Sequence, residues 1–149
     1  MTTIRRLGPS DLVWMRLLNA MFSDAFEDPA SYHDAPPPDD YLSDLLAQPS
    51  FIALASIEDG AVVSGLVAYE LRKFEQRRSE IYIYDLATAE SHRRRGLARA
   101  LIGHLKPIAQ ACGAQIIFVQ ADRDDPPAIA LYESVGRRES VLHFDIEAG

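Results

Sequence analysis

The chain has a single cysteine and no long apolar stretch among its 149 residues. One cysteine excludes an internal disulfide framework, and Cys112 falls in an apolar helical stripe, where it is expected to pack as a small hydrophobic residue. No segment approaches the roughly 20 consecutive apolar residues that a membrane-spanning helix needs. Residues 1–6 also lack the apolar core of a secretory signal. We therefore expect a cytoplasmic protein without a membrane partner.

Several catalytic motifs are absent as well. The sequence has no G-x-S-x-G segment, which would indicate a serine hydrolase, and no G-x-G-x-x-G segment, which would indicate a dinucleotide-binding oxidoreductase. Its four histidines, His33, His92, His104 and His143, do not have the spacing of metal ligands. We expect no metal site.

Basic residues are missing from one long part of the chain. Between Leu17 and Leu71 there is no Lys or Arg, although this part holds ten acidic residues. This cation-free stretch carries a formal charge of −10 and the rest of the chain carries +3, which gives the overall −7. The acidic balance argues against a nucleic-acid partner. The stretch is interpreted either as a solubilising surface or as part of a cleft that attracts a polycation.

The apolar periodicity indicates one mixed α/β domain over residues 1–149, in the order β-α-α-β-β-β-α-β-α-β. Strands are predicted at Thr2–Leu7, Phe51–Ile57, Ala61–Leu71, Glu80–Thr88, Gln115–Ala121 and Arg137–Ile146. Helices are predicted after the turn at Gly8–Asp11, after Asp39–Asp40, from about Arg95 and from Pro126, with a loop at Glu27–Asp40 and a hairpin turn at Asp59–Gly60. Pro107 is expected to kink or shorten the third helix.

The predicted strand Glu80–Thr88 carries two kinds of side chain in alternation. Ile81 and Ile83 form an aliphatic row, and Tyr82 and Tyr84 form an aromatic row. Two acids on this strand, Glu80 and Asp85, differ in parity, so a regular strand would place them on opposite faces. A bulge would bring both to one cleft.

The segment Arg93-Arg94-Arg95-Gly96-Leu97-Ala98 follows this strand and opens a helix. A helix N-terminus presents unpaired N–H groups and a partial positive charge, which together bind phosphate. Gly96 allows close approach of an anion, and the arginines add positive charge. The segment therefore predicts a phosphate-binding loop.

The order of elements and the R-x-x-G-x-A segment resemble the GNAT superfamily of acetyl-CoA-dependent N-acetyltransferases. The resemblance implies a mixed, mostly antiparallel sheet flanked by helices, with a splayed parallel strand pair at the cofactor site. It also implies that the amides of Arg93–Ala98 hold the pyrophosphate of acetyl-CoA and that Leu86, Ala87 and Thr88 pair with its pantetheine arm. The run from Ala128 to Gly136 matches the helix that carries the family's tyrosine, here Tyr132. Asp125 stands where the family often has an asparagine that contacts pantetheine.

Within this superfamily, nearly the whole chain is similar to the type I aminoglycoside 3-N-acetyltransferases. The matching segments are Tyr41–Leu42, Leu45–Leu46, Phe51–Ala55, Lys73–Gln76, Ser79–Ala87, His92–Arg94, Val119–Asp122 and His143–Asp145. The resemblance implies direct attack of the 3-amino group of an aminoglycoside on acetyl-CoA, and a homodimer. The chain departs from the pattern at Pro36–Pro38, Pro107 and Pro126–Pro127.

The chemistry assigns expected roles to several residues. By resemblance, Tyr132 protonates the departing thiolate, because a phenol is neutral at pH 7. Asp85, or else Glu80, is the candidate base for the acceptor amine. Carboxylates suit the ammonium groups of an aminoglycoside, and the expected acceptor-binding residues are Asp28, Tyr84, Asp122 and Asp145. Two alternatives stay open: acetylation of a polyamine or another small cationic amine, and a non-catalytic acetyl-CoA-binding sensor.

Overall fold

The computed structural model describes every residue from 1 to 149. Its five strands are β1 (Thr3–Arg6), β2 (Phe51–Glu58), β3 (Ala61–Arg72), β4 (Ser79–Thr88) and β5 (Ala114–Val119). Its five α-helices are α1 (Leu12–Phe26), α2 (Pro29–Tyr32), α3 (Asp39–Ala47), α4 (Leu97–Ala111) and α5 (Pro126–Val135). One turn of 3-10 helix, Glu90–His92, lies between β4 and α4. None of the helices is long and apolar enough to cross a membrane.

The strands form one mixed sheet in the order β1-β2-β3-β4-β5. The first three pairs of neighbours are antiparallel, whereas β4 and β5 run parallel. Parallel neighbours need a crossover connection, which α4 provides. This arrangement confirms the expected fold, a mostly antiparallel sheet flanked by helices with one parallel pair.

Each face of the sheet carries its own apolar core. On the α4 face, Ile81 and Ile83 of β4 pack with Leu101 and Leu105 of α4, and all four are at most 3% exposed. On the α1 face, side chains of α1 and α3 cover β2 and β3. The expected aliphatic row of β4 is thereby confirmed, and the aromatic row points to the α1 face.

The connection between β2 and β3 is a two-residue turn, Asp59–Gly60. Both residues have positive φ, 51° and 76°. A turn of this kind matches the twist of the flanking strands and favours Asp-Gly, since Gly tolerates positive φ without steric cost. The predicted hairpin is confirmed.

Helix α1 approaches β3 closely at Gly65. A Cβ atom at this position would overlap the side chain of Leu18, which is fully buried, and would lie 3.4 Å from the Leu54 carbonyl oxygen. Only glycine allows this helix-to-strand distance.

The predicted loop Glu27–Asp40 contains helix α2, so the prediction was wrong for residues 29–32. Asp28 accepts a hydrogen bond from the Ser31 amide at 3.2 Å, and Pro29 occupies the first helical position. An Asp-Pro pair starts a helix as readily as it starts a turn, because both structures use an N-terminal side-chain cap and the fixed φ of proline.

Helix α4 begins at Leu97, two residues later than predicted, and extends beyond Pro107 to Ala111. Pro107 therefore does not shorten it. Leu105 and Ala109 on either side of the proline are buried against the sheet, and this packing holds the last turn in place.

The predicted final strand, Arg137–Ile146, is wrong. No residue of the C-terminal tail, residues 137–149, belongs to a strand, and none of its backbone groups forms a backbone hydrogen bond within the chain. A strand requires a neighbouring strand, and the tail does not pair with the outer side of β5. Its apolar side chains are all exposed: Val141, Leu142, Phe144 and Ile146.

Candidate active site

Strand β4 contains a bulge at Tyr84. Ala68 of β3 lies opposite Ile83 and Val67 lies opposite Asp85, so Tyr84 has no counterpart. The extra residue shifts the alternation of side chains, and Tyr84 and Asp85 both reach the α1 face. A regular strand would place Glu80 and Asp85 on opposite faces. The bulge at Tyr84 places them on the same face, as predicted for a bulged strand.

Strands β4 and β5 separate at this bulge. The last paired residues of β4 and β5 are Ile83 and Val119. From Tyr84 to Thr88, β4 keeps only β3 as a neighbour. The second half of β4 thus has a free edge, defined here as the side of residues 84–88 that faces away from β3.

Backbone groups of Leu86 and Thr88 point to the free edge. The Ala89 amide donates to the Val63 carbonyl at 2.8 Å, and bonded and non-bonded residues alternate along an antiparallel ladder. Leu86 and Thr88 are therefore the residues that do not bond to β3. The N–H and C=O groups of Leu86 and the N–H group of Thr88 are available to an extended ligand at this edge, and the Thr88 carbonyl also accepts from Arg93.

The N-terminus of α4 carries a series of unpaired amides. The first hydrogen bond of the helix runs from the Ala100 amide to the Gly96 carbonyl at 3.0 Å, and no amide from Arg94 to Arg99 has an acceptor in the protein. Arg94 and Gly96 have φ of 64° and 76°. These left-handed residues turn successive N–H groups toward one side, which is the geometry of an anion-binding helix start.

The arginine side chains in this loop differ in their partners. Arg95 donates two hydrogen bonds to Glu58, at 2.9 and 3.2 Å, and Arg93 donates one to the Thr88 carbonyl at 3.4 Å. Hydrogen bonds from Arg95 and then Thr2 lower the pKa of Glu58 to about 2. Arg94 has no partner and is exposed. The backbone amides and Arg94 are thus free to meet an anion, whereas Arg95 ties the loop to the β2–β3 hairpin.

An aromatic wall, formed by Tyr69, Tyr82, Tyr84 and Phe118, lies on the α1 face of β3, β4 and β5. The ring centroids of Tyr82 and Phe118 are 4.7 Å apart and stacked, those of Tyr82 and Tyr84 are 5.6 Å apart, and those of Tyr84 and Tyr69 are 6.0 Å apart. The ring of Tyr84 is 64% exposed. The wall is an open surface on which a sugar ring or an aliphatic chain can lie.

Asp85 is the half-buried acid beside this wall. Burial raises the pKa of its carboxyl group, and the neighbouring Tyr32 hydroxyl opposes the rise in part. The negative charge of Asp85 in turn contributes to the raised pKa of Tyr32, after burial. Asp85 forms no ion pair with any Lys, Arg or His of the chain.

Glu80, the other candidate base, lies in a different environment. Its carboxylate is 3.6 Å from both Lys73 and Arg78. At about 3.3 Å per residue, it is also roughly 15 Å from Asp85 along β4, away from the free edge. The structure therefore brings Asp85, and not Glu80, to the place where β4 and β5 separate.

Tyr132 lies half-buried on α5 and packs against the core on the α4 face. Burial raises its pKa to about 12, and the charge of Asp125 adds to the rise. Its hydroxyl group makes no hydrogen bond within the chain. The phenol is therefore neutral at pH 7 and its proton is not engaged by another side chain.

The remaining predicted residues have other surroundings. Asp125 caps α5 by accepting from the Ala128 amide at 3.2 Å, and Asp28 caps α2 close to Tyr32. Asp122 is exposed, and Asp145 is exposed on the tail beside His143. Of these four residues, only Asp28 lies in the neighbourhood of Asp85, because both acids are close enough to Tyr32 to raise its pKa.

Sequence reasoning missed three members of the site: Tyr32, Tyr69 and Phe118. Tyr32 was placed in a loop, where no pattern assigns it a neighbour. The pairing of β3 with β4 and of β4 with β5 aligns Tyr69 and Phe118 with Tyr82. The predicted strands already contained Tyr69 and Phe118. Their alignment with Tyr82, however, follows only from the register in which the strands pair.

An open cleft of about 900 Å³ lies at the same end of the sheet. It is bounded by α1, the β2–β3 turn and the start of the β4–α4 connection, and its charged lining residues are Asp24, Glu27, Glu90 and Arg93. Asp24 and Glu27 belong to the cation-free stretch. The approach to the loop from this side is therefore mostly acidic.

Comparison with known proteins agrees with this geometry. Residues 14–136 match the acetyltransferase (GNAT) family. The chain belongs to this family. The separated strands β4 and β5 and the unpaired amides at the start of α4 are features that the resemblance to this family predicted.

Two solved structures of aminoglycoside acetyltransferases, each from an uncultured soil metagenomic sample, are similar to this GNAT protein. One is 52% identical with a TM-score of 0.98, covering 100% of this chain and 99% of that chain. The other, solved in complex with sisomicin, is 29% identical with a TM-score of 0.91, covering 99% and 97%.

A curated relative has a different acceptor in its own name. The ribosomal protein bS18-alanine N-acetyltransferase of Escherichia coli strain K12 is 32% identical over 63 residues. The match covers 42% of this chain and 43% of that enzyme, so the chain spans less than half the length of this relative.

Proposed function

We propose that the protein acetylates an amino group of aminoglycosides, specifically the 3-amino group, with acetyl-CoA as the donor. The observation that carries the proposal is the half-buried, cation-free carboxyl group of Asp85 between the aromatic wall and the free edge of β4. The carboxylate would repel an anionic acceptor and would give a neutral sugar no ion pair, whereas a polycationic amine would gain a charge-assisted hydrogen bond. The 52% identity to an aminoglycoside acetyltransferase supports the same acceptor class.

The residues present fit acetyl-CoA. The unpaired amides of Arg94–Arg99 and the free guanidinium of Arg94 suit a pyrophosphate, and the edge groups of Leu86 and Thr88 suit the amides of a pantetheine arm. When bound, acetyl-CoA supplies the acetyl group as a thioester. The side chain of Asp125 already caps α5, so we assign the pantetheine hydrogen bonds to Leu86 and Thr88, with Ala87 between them bonded to β3.

Asp85 is the proposed general base. An acceptor amine is protonated at pH 7 and has no lone pair until a base removes a proton. The raised pKa of Asp85 brings this carboxyl group closer to the pH at which it must accept a proton, and so makes it a more effective base than an ordinary aspartate. We propose that the neighbouring Tyr32 hydroxyl orients the carboxylate by donating a hydrogen bond to it during the reaction.

Two further groups complete the proposed chemistry. The free amide of Leu86 is a donor for an oxygen that gains negative charge during acyl transfer, and a fixed backbone N–H needs no reorganisation. Tyr132 is a neutral phenol with an unengaged proton, which it can deliver to the departing sulfur. We propose both as catalytic groups.

The aromatic wall and the acids around it form the proposed acceptor site. Aminoglycosides combine apolar ring faces with several ammonium groups. Tyr84 offers an exposed ring for the former, and Asp28 adds a carboxylate for the latter beside Tyr32. Asp122 and Asp145 are proposed as further carboxylates on the exposed side.

A polyamine is the second candidate acceptor, because the same carboxylates would bind it. An assay of coenzyme A release can compare gentamicin, spermidine and a peptide with an N-terminal alanine at equal concentrations. We expect gentamicin to have the highest kcat/KM, and NMR of the product to locate the acetyl group on the 3-amine. Preference for spermidine or the peptide would reject the aminoglycoside assignment, and acetylation at another amine would reject the position. Absence of turnover with every amine would favour a sensor.

A further inference from the structure

Helix α5, which carries Tyr132, is only loosely held by its apolar contacts. None of its ten residues is buried. Leu131, Tyr132 and Val135 pack against the core on the α4 face but remain partly exposed. Apolar contacts are non-directional, so they keep the helix on the core without fixing its rotation or its position along its axis.

One side-chain hydrogen bond joins α5 to another element of the fold. Nη2 of Arg99, on α4, donates to Oγ of Ser134 at 2.6 Å. The other side-chain hydrogen bonds of α5 stay within residues 125–138: the cap from Asp125 and the pair of Glu133 with Arg138. The contact between Arg99 and Ser134 is therefore the polar tether between the two helices.

The hydroxyl group of Ser134 is itself held by the backbone of α5. It donates to the Leu131 carbonyl at 2.5 Å, which uses its single proton. Its lone pairs are then free to accept from Arg99, so both hydrogen bonds form together. Leu131 precedes Tyr132 in the chain, and the tether is thus attached to the turn that carries the phenol.

The other end of the tether lies in the turn with the unpaired amides. Arg99 is the third residue of α4, and its own amide is the last of the unpaired series that begins at Arg94. One residue therefore presents a backbone N–H at the anion-binding turn and extends a side chain to α5. An anion bound to these amides would fix the turn from which the Arg99 side chain starts.

We propose that Arg99 and Ser134 are positioning residues, which set the place of the Tyr132 hydroxyl relative to acetyl-CoA bound at the start of α4. The inference rests on the proposed function, in which Tyr132 delivers a proton to the departing sulfur. A proton donor must lie within hydrogen-bond reach of its acceptor, and a displacement of about 1 Å can cost about 10²-fold in rate. No hydrogen bond within the chain directs the Tyr132 hydroxyl, so its position depends on how α5 is held.

Ser134→Ala tests the tether without unfolding the helix, because alanine favours an exposed helical position more than serine does. We expect kcat to fall by about 10-fold, with Tm and KM for acetyl-CoA nearly unchanged. Ser134→Thr should restore most of the lost kcat, since a threonine hydroxyl can make the same bond to the preceding turn of its helix. Unchanged kcat in Ser134→Ala, or a rise in KM alone, would overturn the proposal.

Glu133→Gln is the matched control. It weakens a contact of the same length, 2.6 Å, at the next position of α5 but does not touch α4. We expect its kcat to equal that of the wild type. A loss equal to that of Ser134→Ala would show that any polar contact of α5 matters, and would overturn the specific role of the tether, as would a failure of Ser134→Thr to restore kcat.

Two further measurements separate this inference from the proposed function. In a Tyr132→Phe background, Ser134→Ala should cause no further loss of kcat, because it acts through the phenol. A full additional loss would overturn the proposal, whereas wild-type turnover of Tyr132→Phe would reject the proposed acid itself. Hydrogen exchange with coenzyme A needs no turnover: binding should protect amides of residues 129–135 in the wild type and in Ser134→Thr but not in Ser134→Ala. Equal protection in all three would show that the contact does not couple α4 to α5.

Discussion

Arg95 holds Glu58 through two hydrogen bonds, and this contact joins the loop before α4 to the β2–β3 hairpin. His92 lies 3.7 Å from the same carboxylate, and Thr2 donates to it at 2.6 Å. A single carboxylate on β2 thus fixes the start of the helix that presents the unpaired amides. Its contribution to cofactor binding is expected to be indirect, through the position of the loop.

Glu58→Gln should therefore raise KM for acetyl-CoA several-fold with little change in kcat. The mutation weakens the contact that holds the loop but leaves the amides and Asp85 in place. Steady-state kinetics at saturating acceptor measure the effect. Glu75→Gln is the matched control, because Glu75 pairs with Arg78 in the distant β3–β4 turn. An equal rise in KM in both variants would contradict the proposed role of Glu58.

The ion pair of Glu58 also predicts a pH effect on stability. The native pKa of about 2 lies below the ordinary value of 4.5. A carboxylate with a lowered native pKa stabilises the fold above its unfolded pKa and loses this contribution as the pH falls toward the native pKa. Wild-type Tm should thus fall more steeply between pH 4.5 and 2 than Tm of Glu58→Gln. Parallel curves of Tm against pH for the two proteins would show that the ion pair of Glu58 contributes nothing to stability.

Asp85→Asn should separate activity from stability. Loss of a general base lowers kcat by about 10²–10⁴-fold. Because burial raises the native pKa of Asp85, the ionised group destabilises the fold, and stability falls as the pH rises through that pKa. Removing the charge should then leave Tm at pH 7 unchanged or higher. The acidic limb of the pH profile of kcat/KM should also disappear. A variant that loses Tm and activity together would indicate a structural role.

Tyr132→Phe tests the proposed acid. The hydroxyl makes no hydrogen bond within the chain, so its removal should leave Tm and the affinity for acetyl-CoA nearly unchanged. Loss of the proton donor should lower kcat by about 10²–10⁴-fold. Calorimetric titration with acetyl-CoA and turnover assays give the two quantities. Unchanged turnover would remove Tyr132 from the mechanism.

Two glycines provide an internal comparison of packing. Gly65→Ala would force a Cβ atom into Leu18 at the contact of α1 with β3, and overpacking of this kind costs about 1–3 kcal/mol. Gly103 lies within α4 with open space around its Cα, so Gly103→Ala should stabilise the protein by about 0.5–1 kcal/mol. Urea denaturation of both variants measures the difference. Equal effects would show that Gly65 is not needed for the close approach.

Much of the sheet could be predicted from the sequence because its signals are local. The Asp59–Gly60 turn and the alternation of Ile81 and Ile83 with tyrosines depend only on neighbouring residues. The unpaired start of α4 follows similarly from Gly96 and the helical stripe after it.

The site itself depends on contacts between distant segments. The bulge at Tyr84 is defined by the pairing of β4 with β3, and no residue type at this position specifies it. Tyr32 approaches Asp85 because its ring packs on Phe22 and Phe26 of α1, which covers this face of the sheet. The tail shows the opposite failure: its alternating pattern predicts a strand, but a pattern cannot tell whether a neighbouring strand is there to pair with.

The bulge gives β4 one residue more than the ladder with β3 needs. Residues before Tyr84 follow one phase of alternation and residues after it follow the other, so Tyr84 and Asp85 share a face. Deletion of Tyr84 would leave a regular ladder, with Ile83 opposite Ala68 and Asp85 opposite Val67. Asp85 and the backbone groups of Leu86 and Thr88 would then keep their sides, and the ring beside Asp85 would be lost. The extra residue thus adds a contact surface to the cleft without moving the proposed base.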